Sequence, residues 1–349
     1  MTIFELVTSD QITAYWESQA QNRKPYLGEE LFPSQQKLGL SIKWIKGSQG
    51  LPVVLKPSAY DVAAKKRDRI GFDKLNMDMP FFKESTYIDE ELRQELNKVL
   101  ETGNQAYIDS IMNQVFNDTT NLLDGAAAQR ERMRMMALTT GKISIKANGQ
   151  DYDYDYGIPE NHMINSTKAW SDPTATIIDD IRNLMDLIED ETGVRPERAV
   201  CSRKTFGYIR KNNEIRQAIL GSDATAPVSD TKIMDYIMDE LKLDVVVYNK
   251  KAKDEEGSEF QYVADNTFVI FPQGKLGTGW FGTTPEQSDL MAGSAANVSI
   301  TDTGVAVTTS KKTDPVNVDT KVSMIYLPSF ETADHVGIID VNGANSEVV

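Results

Sequence analysis

The chain has 349 residues, 40% hydrophobic and 26% charged, which is the composition of a folded globular protein rather than a disordered one. Its net charge of −15 argues against tight, sequence-reading contacts with nucleic acid, because the phosphates would repel it. One cysteine, Cys201, excludes an internal disulfide framework, and the two histidines, His162 and His335, leave few general bases or metal ligands.

The sequence predicts neither a membrane protein nor an exported one. No apolar run approaches the length of a membrane-spanning helix, and Met1–Lys24 lacks the basic start and apolar core of a signal peptide. The single cysteine fits synthesis in a reducing cytoplasm.

Residues 1–37 have too little apolar surface to fold alone. They contain a short amphipathic piece, Ser9 to Gln19, followed by polar sequence with two prolines. We predict an N-terminal arm that lies on another surface.

From residue 38 to 82 the apolar residues take the period of a strand. They alternate along two arms: Leu38, Leu40, Ile42 and Trp44, then Ile70 and Phe72, then Leu75, Met77, Met79 and Phe81. A charged tip that includes Arg67 and Arg69 lies between the arms. The pattern predicts a long two-stranded projection with a β-bulge between Phe72 and Leu75. Two strands alone are marginal in water, and the pattern leaves open whether they pack on a partner or on their own domain.

A continuous helical stripe follows. A shorter helix is predicted to begin after Asp89, and a long one spans Gln105 to Thr139. At about 1.5 Å per residue the long helix measures roughly 50 Å, which approaches the width of a whole domain. It therefore cannot be hidden inside one compact globule.

Asn148-Gly149 is the preferred type I′ turn of a β-hairpin. Pairing outward from this turn predicts the following register: Lys146 with Asp151, Ile145 with Tyr152, Ile143 with Tyr154 and Lys142 with Asp155. One face of the hairpin is then aromatic and aliphatic, and the other has matched charges.

Residues 174–290 alternate helices and strands, which predicts an α/β domain. Helices are predicted up to Gly193, over Thr205–Leu220 and over Ser229–Leu241. Strands are predicted at Arg198–Cys201, Val245–Tyr248 and Phe268–Phe271. From about Ala296 the apolar residues again alternate with the period of a strand, and we expect Pro328 to end this strand region. A last strand is predicted at Val336–Val341.

Two carboxylate patterns have catalytic or metal-binding potential. Asp302-Thr303-Gly304 resembles the aspartic-protease triplet, but only one is present and its setting favours a β-turn. Asp151, Asp153 and Asp155 lack the glycine and glutamate of a calcium loop and fall on the lysine-matched hairpin face. We interpret both patterns as structural.

Three further patterns are weak. Gly274–Gly279 is glycine-rich without the Gly-Lys-Ser/Thr of a phosphate loop, and neither His162 nor His335 has a ligand partner at metal spacing. Arg130, Arg132 and Arg134 could contact phosphates, but a solvated helix face is the simpler interpretation. The sequence predicts no enzyme, no cofactor and no metal site.

Taken in order, several stretches resemble the phage lambda-type major head protein family, whose subunits have the Hong Kong 97 capsid fold. They are the Ala106–Leu138 helix followed by Thr139-Thr140-Gly141-Lys142 and the Asn148-Gly149 hairpin; Ala169-Trp170-Ser171-Asp172-Pro173 before Asp179-Asp180-Ile181; Leu243–Tyr248, Ala264–Val269 and Gly274–Gly282; and Tyr326-Leu327-Pro328-Ser329 before Val336–Val341. The match covers nearly the whole chain.

The resemblance implies an α+β fold in four regions. Residues 1–37 would be the N-arm and 38–82 an extended β-hairpin loop that reaches over a neighbouring subunit. Residues 83–173 and 291–334 would form a peripheral domain around the spine helix 105–139, and 174–290 with 335–349 an α/β axial domain. The implied interface candidates are Leu40, Ile42, Trp44, Arg67, Arg69, Phe72, Met77, Phe81 and Phe82.

The implied function is that of the major capsid protein of a tailed bacteriophage or prophage, located in the virion and assembled in the bacterial cytoplasm. The implied partners are copies of itself in hexamers and pentamers, a portal protein and packaged double-stranded DNA bound without sequence specificity; a decoration protein is left open. No long charged helical segment precedes the arm, so we expect a separate scaffolding protein. No residue set matches the lysine–asparagine cross-link of some members of the family, so we expect none. The alternatives are a cellular nanocompartment (encapsulin-like) shell and a hydrolase built on Asp302.

Overall fold

The computed structural model describes residues 8–20, 23–46, 73–88, 105–147, 149–221, 226–254, 256–291, 296–313 and 316–343, together with Glu90, Gln94 and Lys98. The chain divides into two compact units, each built from separated segments of sequence. Unit 1 contains Met1–Ile42, Asn76–Met133 and Thr278–Ser329; unit 2 contains Lys43–Leu75, Arg134–Gly277 and Phe330–Val349.

Helices and strands alternate along the described chain. The helices are α1 (Ser9–Ala20), α2 (Leu27–Leu31), α3 (Gln105–Thr140), α4 (Ile177–Thr192), α5 (Arg203–Lys211), α6 (Asn213–Leu220) and α7 (Asp230–Leu241). The strands are β1 (Ser34–Gln36), β2 (Ser41–Lys46), β3 (Asp73–Asp78), β4 (Phe81–Ile88), β5 (Lys142–Ala147), β6 (Gln150–Asp155), β7 (Met163–Asn165), β8 (Arg198–Cys201), β9 (Asp244–Val247), β10 (Lys251–Lys253), β11 (Glu259–Gln261), β12 (Thr267–Phe271), β13 (Gly277–Phe281), β14 (Asn297–Thr301), β15 (Val305–Thr313), β16 (Val316–Phe330) and β17 (Gly337–Asp340).

Unit 1 is built on a sheet in which β16 is the central strand. The order is β1-β13-β16-β15-β14. Strand β4 also pairs with β16, on the side opposite β15. Val316–Ser323 pairs with β15, while Val318–Ile325 pairs with β4, both antiparallel. The strand continues through Pro328, so the prediction that this proline breaks it is wrong. The β15 ladder ends at Ser323 and the β4 ladder at Ile325, so the missing N–H of Pro328 interrupts neither of them.

Residues after α1 are integral to unit 1 and do not form a free arm. Leu31 and Phe32 are fully buried, and β1 pairs in parallel with Gly279–Phe281 of β13. A side chain at Gly279 would meet the Tyr326 hydroxyl at 2.5 Å, so glycine permits this close approach.

The long helix is confirmed. Helix α3 has 36 residues and a length of about 54 Å. Gly141 follows its last residue, and the φ of +69° and the N–H bond to Ala137 O (3.0 Å) are typical of a glycine after a helix C-terminus. Buried residues recur every three or four positions: Val115, Thr119, Leu123, Ala127, Arg130, Arg134 and Leu138. Arg130 and Arg134 lie on this buried line, so the expectation that they are solvated is wrong; Arg132 is half-buried.

Unit 2 contains a mixed sheet of order β7-β17-β12-β8-β9, with parallel pairs at β7–β17 and β8–β9. Helices α4 to α7 contribute Ile181, Leu184, Ile209 and Ile237 to its core, together with Phe268 and Ile270 of β12. The α/β prediction for this part of the chain is confirmed in its element types. The β5–β6 hairpin has the predicted register throughout.

One predicted helix is two helices. Thr205–Leu220 is divided at Asn212, which leaves helical geometry with ψ of 132°. The Asn212 carboxamide accepts from Ile215 N at 3.1 Å and donates to Ala175 O at 2.7 Å, so it caps α6 and fixes it to the loop before α4.

Among the described residues, no helix is long and apolar enough to cross a membrane. In the same part of the chain, no three histidine, cysteine or carboxylate side chains are grouped as metal ligands.

Candidate functional site

The predicted interface residues are found in several settings. Arg67, Arg69 and Phe72, like the predicted β-bulge, lie outside the described residues. Trp44 lies in β2 and Met77 in β3, and these two strands pair with each other. Ile42 of β2 is 1% exposed, so in this conformation its side chain has no free area to offer a neighbouring molecule.

Leu38 and Leu40 form a corner rather than the predicted start of a strand. The chain is held before the corner by Lys37 N donating to Phe281 O, and after it by Met79 N donating to Leu40 O, both at 2.8 Å. Gly39 has a φ of +102°, which glycine adopts without strain. The two leucine side chains are 87% and 61% exposed. The corner therefore presents two aliphatic side chains to solvent in a fixed position.

The sequence interpretation missed most of β4. Its register places Phe81 beside Ile325, Phe82 beside Met324 and Tyr87 beside Asp319. Phe82 is half-buried, whereas Phe81 and Tyr87 are exposed on the opposite face. The run Thr86-Tyr87-Ile88 has high β-propensity and could have predicted the rest of this strand, but the polar residues Lys83–Ser85 before it interrupt the apolar alternation.

Helix α1 is seated on unit 1 by one face. Ile12 and Trp16 are buried there, and Tyr15 stacks on Phe116 of α3 with ring centroids 5.5 Å apart. The Trp16 indole donates to Asp124 Oδ1 at 2.9 Å, and Arg23 forms an ion pair with the same carboxylate. The predicted amphipathic piece therefore packs on its own subunit in this structure.

Further polar contacts hold both ends of this N-terminal segment. Ser9 N donates to Asn297 Oδ1 at 2.9 Å, and Thr301 Oγ1 donates to Glu17 Oε1 at 3.0 Å. In α2, Gly28 N donates to the buried carboxylate of Glu131 at 3.2 Å. The segment is thus tied to α3 and to the edge strand β14.

Asp302 and Thr303 form the turn between β14 and β15, as predicted, with φ of 45° and 73°. The Asp302 carboxylate is bound by Arg130 of α3, whose guanidinium also lies over the Phe281 ring, 5.5 Å from its centroid. The carboxylate of Asp302 is therefore engaged in holding this turn to the long helix. This ion pair is also the reason that Arg130 can be buried.

In unit 2, one buried carboxylate organises the Ala169–Pro173 stretch that carried the resemblance. Asp180, in the first turn of α4, accepts hydrogen bonds from Thr167 Oγ1 at 2.7 Å and from the Trp170 indole at 3.0 Å. Trp170 also packs against Phe268, with ring centroids 5.3 Å apart. This stretch fixes the entry into the α/β core.

The cysteine, one histidine and two lysines of unit 2 are buried or paired with carboxylates. Burial raises the pKa of the Cys201 thiol to about 12, so it is a poor nucleophile at neutral pH. His162 is fully buried with Nε2 3.0 Å from Glu191 Oε2. On the hairpin, Lys142 and Lys146 lie 3.0 and 2.9 Å from Asp155 and Asp151, which confirms the charge-matched face.

Comparison with solved structures identifies the class of this fold. The chain is similar to a protein described as a prophage capsid protein of Escherichia coli CFT073 (TM-score 0.63, 16% identity, covering 96% of this chain and 99% of that one). It is also similar to a phage-related protein of Bordetella bronchiseptica RB50 (TM-score 0.53, 13% identity, coverage 97% and 98%) and to the capsid subunit of cyanophage A-1(L) (TM-score 0.50, 11% identity, coverage 91% and 92%). The architecture is that of a Hong Kong 97-type capsid subunit.

The model of the family "Phage major capsid protein E" matches residues 8–339, and the chain belongs to this family. No protein with a curated description matches it in sequence. The resemblance seen in the sequence is thereby confirmed, and with it the role of a phage or prophage major capsid protein that forms an icosahedral shell. The nanocompartment alternative is not favoured.

Proposed function

We propose that copies of this chain assemble as hexamers and pentamers into the head of a tailed phage, and that this head encloses double-stranded DNA. The family match over residues 8–339 carries the proposal, because a major capsid protein is the repeating unit of a shell. A closed shell engages every subunit on several sides, so modest interfaces reinforce one another.

The four regions keep the roles that the resemblance implies. Residues 1–37 are the N-arm, which packs on unit 1, and 38–82 the extended loop. Residues 83–173 with 291–334 are the peripheral domain and 174–290 with 335–349 the axial domain, except that β13 belongs to the sheet of unit 1. The loop packs on a neighbouring subunit through its apolar and basic residues. The pairing of β2 with β3 supports a hairpin at the base of this loop.

The charge of the chain suits a container. A subunit with net charge −15 repels DNA phosphates, so it can enclose a packaged genome without binding it tightly. We propose that the chain has no catalytic activity of its own. It assembles in the host cytoplasm, with a separate scaffolding protein and a portal protein as partners.

Electron microscopy tests the proposal. The chain should form uniform icosahedral particles when it is produced together with the structural genes beside its own, including a scaffolding gene. Produced alone, it should give irregular particles or unassembled subunits. Uniform shells from the chain alone would refute the scaffolding requirement. Shells that survive boiling in detergent would refute the absence of a cross-link.

A further inference from the structure

We infer that helix α5 carries a contact of the subunit with packaged double-stranded DNA, through four basic side chains: Arg203, Lys204, Arg210 and Lys211. We call these four side chains the α5 basic face. Its ligand is the phosphate backbone of DNA, bound without sequence specificity. The inference rests on the proposed enclosure of a genome and adds to it the part of the chain that contacts the DNA.

The first support is the arrangement of the four cations. Helix α5 has nine residues, and the pair Arg203-Lys204 recurs seven residues later as Arg210-Lys211. Seven residues are nearly two turns, so the two pairs lie on one face of the helix, about 10 Å apart along its axis. All four side chains are exposed, and the opposite face is buried. Between the pairs lies Gly207, where an added Cβ would meet no atom within 4 Å. The face is therefore open at its centre to a phosphate backbone, whose charges follow about every 3.4 Å along one strand.

The second support is that helix stability explains only half of this pattern. Arg210 and Lys211 lie in the last turn, where the helix dipole favours cations. Arg203 and Lys204 lie in the first turn, where the dipole favours carboxylates, and this turn contains none. Two cations at this end oppose the dipole, whereas a bound anion would be stabilised by both the cations and the dipole. The first pair is therefore better explained by the binding of an anion than by the stability of the helix.

Two carboxylates pair with the α5 basic face, and both pairs are loose. Lys204 Nζ lies 3.7 Å from Asp265 Oδ2, and Arg210 Nη1 lies 3.4 Å from Asp230 Oδ1. The four side chains are between 35% and 53% exposed. Ion pairs between exposed side chains contribute little in water, so phosphate groups can compete for these two cations.

The other two cations supply an excess of positive charge. Within the described residues, neither Arg203 nor Lys211 forms an ion pair. A third carboxylate, Glu214, follows in the first turn of α6. Four cations thus compare with three carboxylates at this helix, whereas the whole chain has 37 basic and 52 acidic residues. Because the chain as a whole repels phosphates, a contact with DNA is favoured where this balance is reversed.

The composition of the face favours DNA over a protein partner. Protein interfaces are centred on apolar and aromatic anchors, whereas contacts with DNA are polar and positively charged. The apolar side chains of this helix, Phe206 and Ile209, are buried. Tyr208 is half-buried, and its hydroxyl donates to Asn266 Oδ1 at 3.1 Å. The α5 basic face thus offers cations to a partner and no apolar anchor.

Binding of a fluorescent DNA duplex to the full-length subunit tests the inference. A duplex of about 20 base pairs should bind weakly, and the logarithm of the binding constant should fall with the logarithm of the salt concentration with a slope of about −3.6 for four phosphate contacts. The double variant Arg203→Gln with Lys211→Gln should weaken binding at least about tenfold at about 50 mM salt and reduce this slope by about 2.

The control is Lys142→Gln with Lys146→Gln, which removes the same charge from the β5–β6 hairpin and should bind DNA as the unsubstituted chain does. All the substituted side chains are exposed, so the melting temperatures of the subunits should agree. Absence of binding by the unsubstituted chain, or equal losses in the two double variants, would overturn the inference.

A photo-cross-link identifies the ligand in the assembled head. Cys201 is buried and is the one cysteine of the chain, so a benzophenone maleimide will label the variant Lys211→Cys at the introduced thiol. Irradiation of DNA-filled heads built from the labelled chain should give a product whose added mass is removed by nuclease. A product with a second copy of this chain, or with a different protein, would overturn the inference.

The outcomes separate this contact from the function on which it rests. DNA-filled heads whose labelled chains give no product with DNA would overturn the α5 basic face and leave the capsid role intact. Failure of the unsubstituted chain to form particles with its neighbouring genes would overturn the capsid role, while the binding assay decides the α5 basic face by itself.

Discussion

The indole nitrogen of Trp170 donates a hydrogen bond to Oδ2 of Asp180 at 3.0 Å, and both side chains are buried. Thr167 donates to the other carboxylate oxygen from its N–H at 3.3 Å and from its hydroxyl at 2.7 Å. The carboxylate therefore accepts three hydrogen bonds and joins the loop before α4 to the first turn of that helix.

Asp180→Ala should destabilise the unassembled subunit by about 3 kcal/mol, because it leaves the buried indole N–H of Trp170 without its acceptor and removes the bonds from Thr167. Urea unfolding measures the loss. The control is Asp179→Ala, the exposed neighbour that pairs with Arg182 at 2.9 Å, and it should cost about 0.5 kcal/mol or less. Equal losses for the two variants would show that the buried network is not the source of stability.

Thr303 has a φ of +73°, which a β-branched residue rarely adopts. Glycine adopts a positive φ without the steric clash that a Cβ causes, so Thr303→Gly should raise the free energy of unfolding by about 1 kcal/mol. Thr303→Ala keeps a Cβ in the same backbone conformation and should gain much less. A stabilisation by alanine equal to that by glycine would assign the effect to the threonine side chain instead of the backbone.

Gly125 lies inside α3, and a methyl group added there would meet no atom within 4 Å. Gly125→Ala should therefore stabilise the helix by up to about 1 kcal/mol and leave assembly intact. Gly125→Pro should cost about 3 kcal/mol and stop the formation of particles, because it breaks the helix near its middle. Circular dichroism and electron microscopy measure the two effects. Normal particles from the proline variant would disprove the need for a continuous helix.

Glu286 provides a pH-dependent contribution to stability. Burial alone would raise the pKa of its carboxyl group, but hydrogen bonds from Lys321 and Ser323 outweigh it, so the pKa lies below its ordinary value of 4.5. A carboxylate with a lowered pKa stabilises the fold above pH 4.5, and the contribution is lost as the pH falls through the folded value.

Glu286→Gln should thus destabilise the subunit at neutral pH, and the difference from the unsubstituted chain should shrink below about pH 4.5. Thermal unfolding at several pH values measures this difference. Glu84→Gln, at an exposed position on β4, is the control and should change stability little at any pH. A Glu286→Gln difference that stays constant with pH would contradict the ionic origin of the effect.

Local patterns allowed much of the fold to be predicted. The β5–β6 register followed from a two-residue turn with alternating side chains, and α3 followed from a long stripe without proline. The errors occurred where long-range contacts decide the outcome. Arg130 is buried because Asp302, in a turn distant in sequence, pairs with it, and Pro328 is tolerated because it lies beyond the ends of the ladders with β4 and β15.

The exposure of individual side chains was harder to predict than the fold. Leu38 and Leu40 fit a strand pattern. They form a corner because Lys37 N donates a hydrogen bond to Phe281 O and Met79 N donates one to Leu40 O, and both contacts join residues that are distant in sequence. Tyr87 follows a polar stretch that has no periodic signal of its own. Ile42 fits the same alternation as Leu40 and is nevertheless buried. Alternation identifies the face of a strand, but it does not indicate which residues tertiary packing covers.

The parallel strand β1 sets a limit on how far the amino end of this chain can be shortened. A protease that cut between α1 and Leu27 would remove a helix that contributes Ile12 and Trp16, and the sheet of unit 1 would keep its strands. A cut beyond Gln36 would remove β1, the edge partner of β13, and would open the cavity that Leu31 and Phe32 fill. We therefore expect a processed form of the subunit that remains folded to keep Leu31, Phe32 and β1.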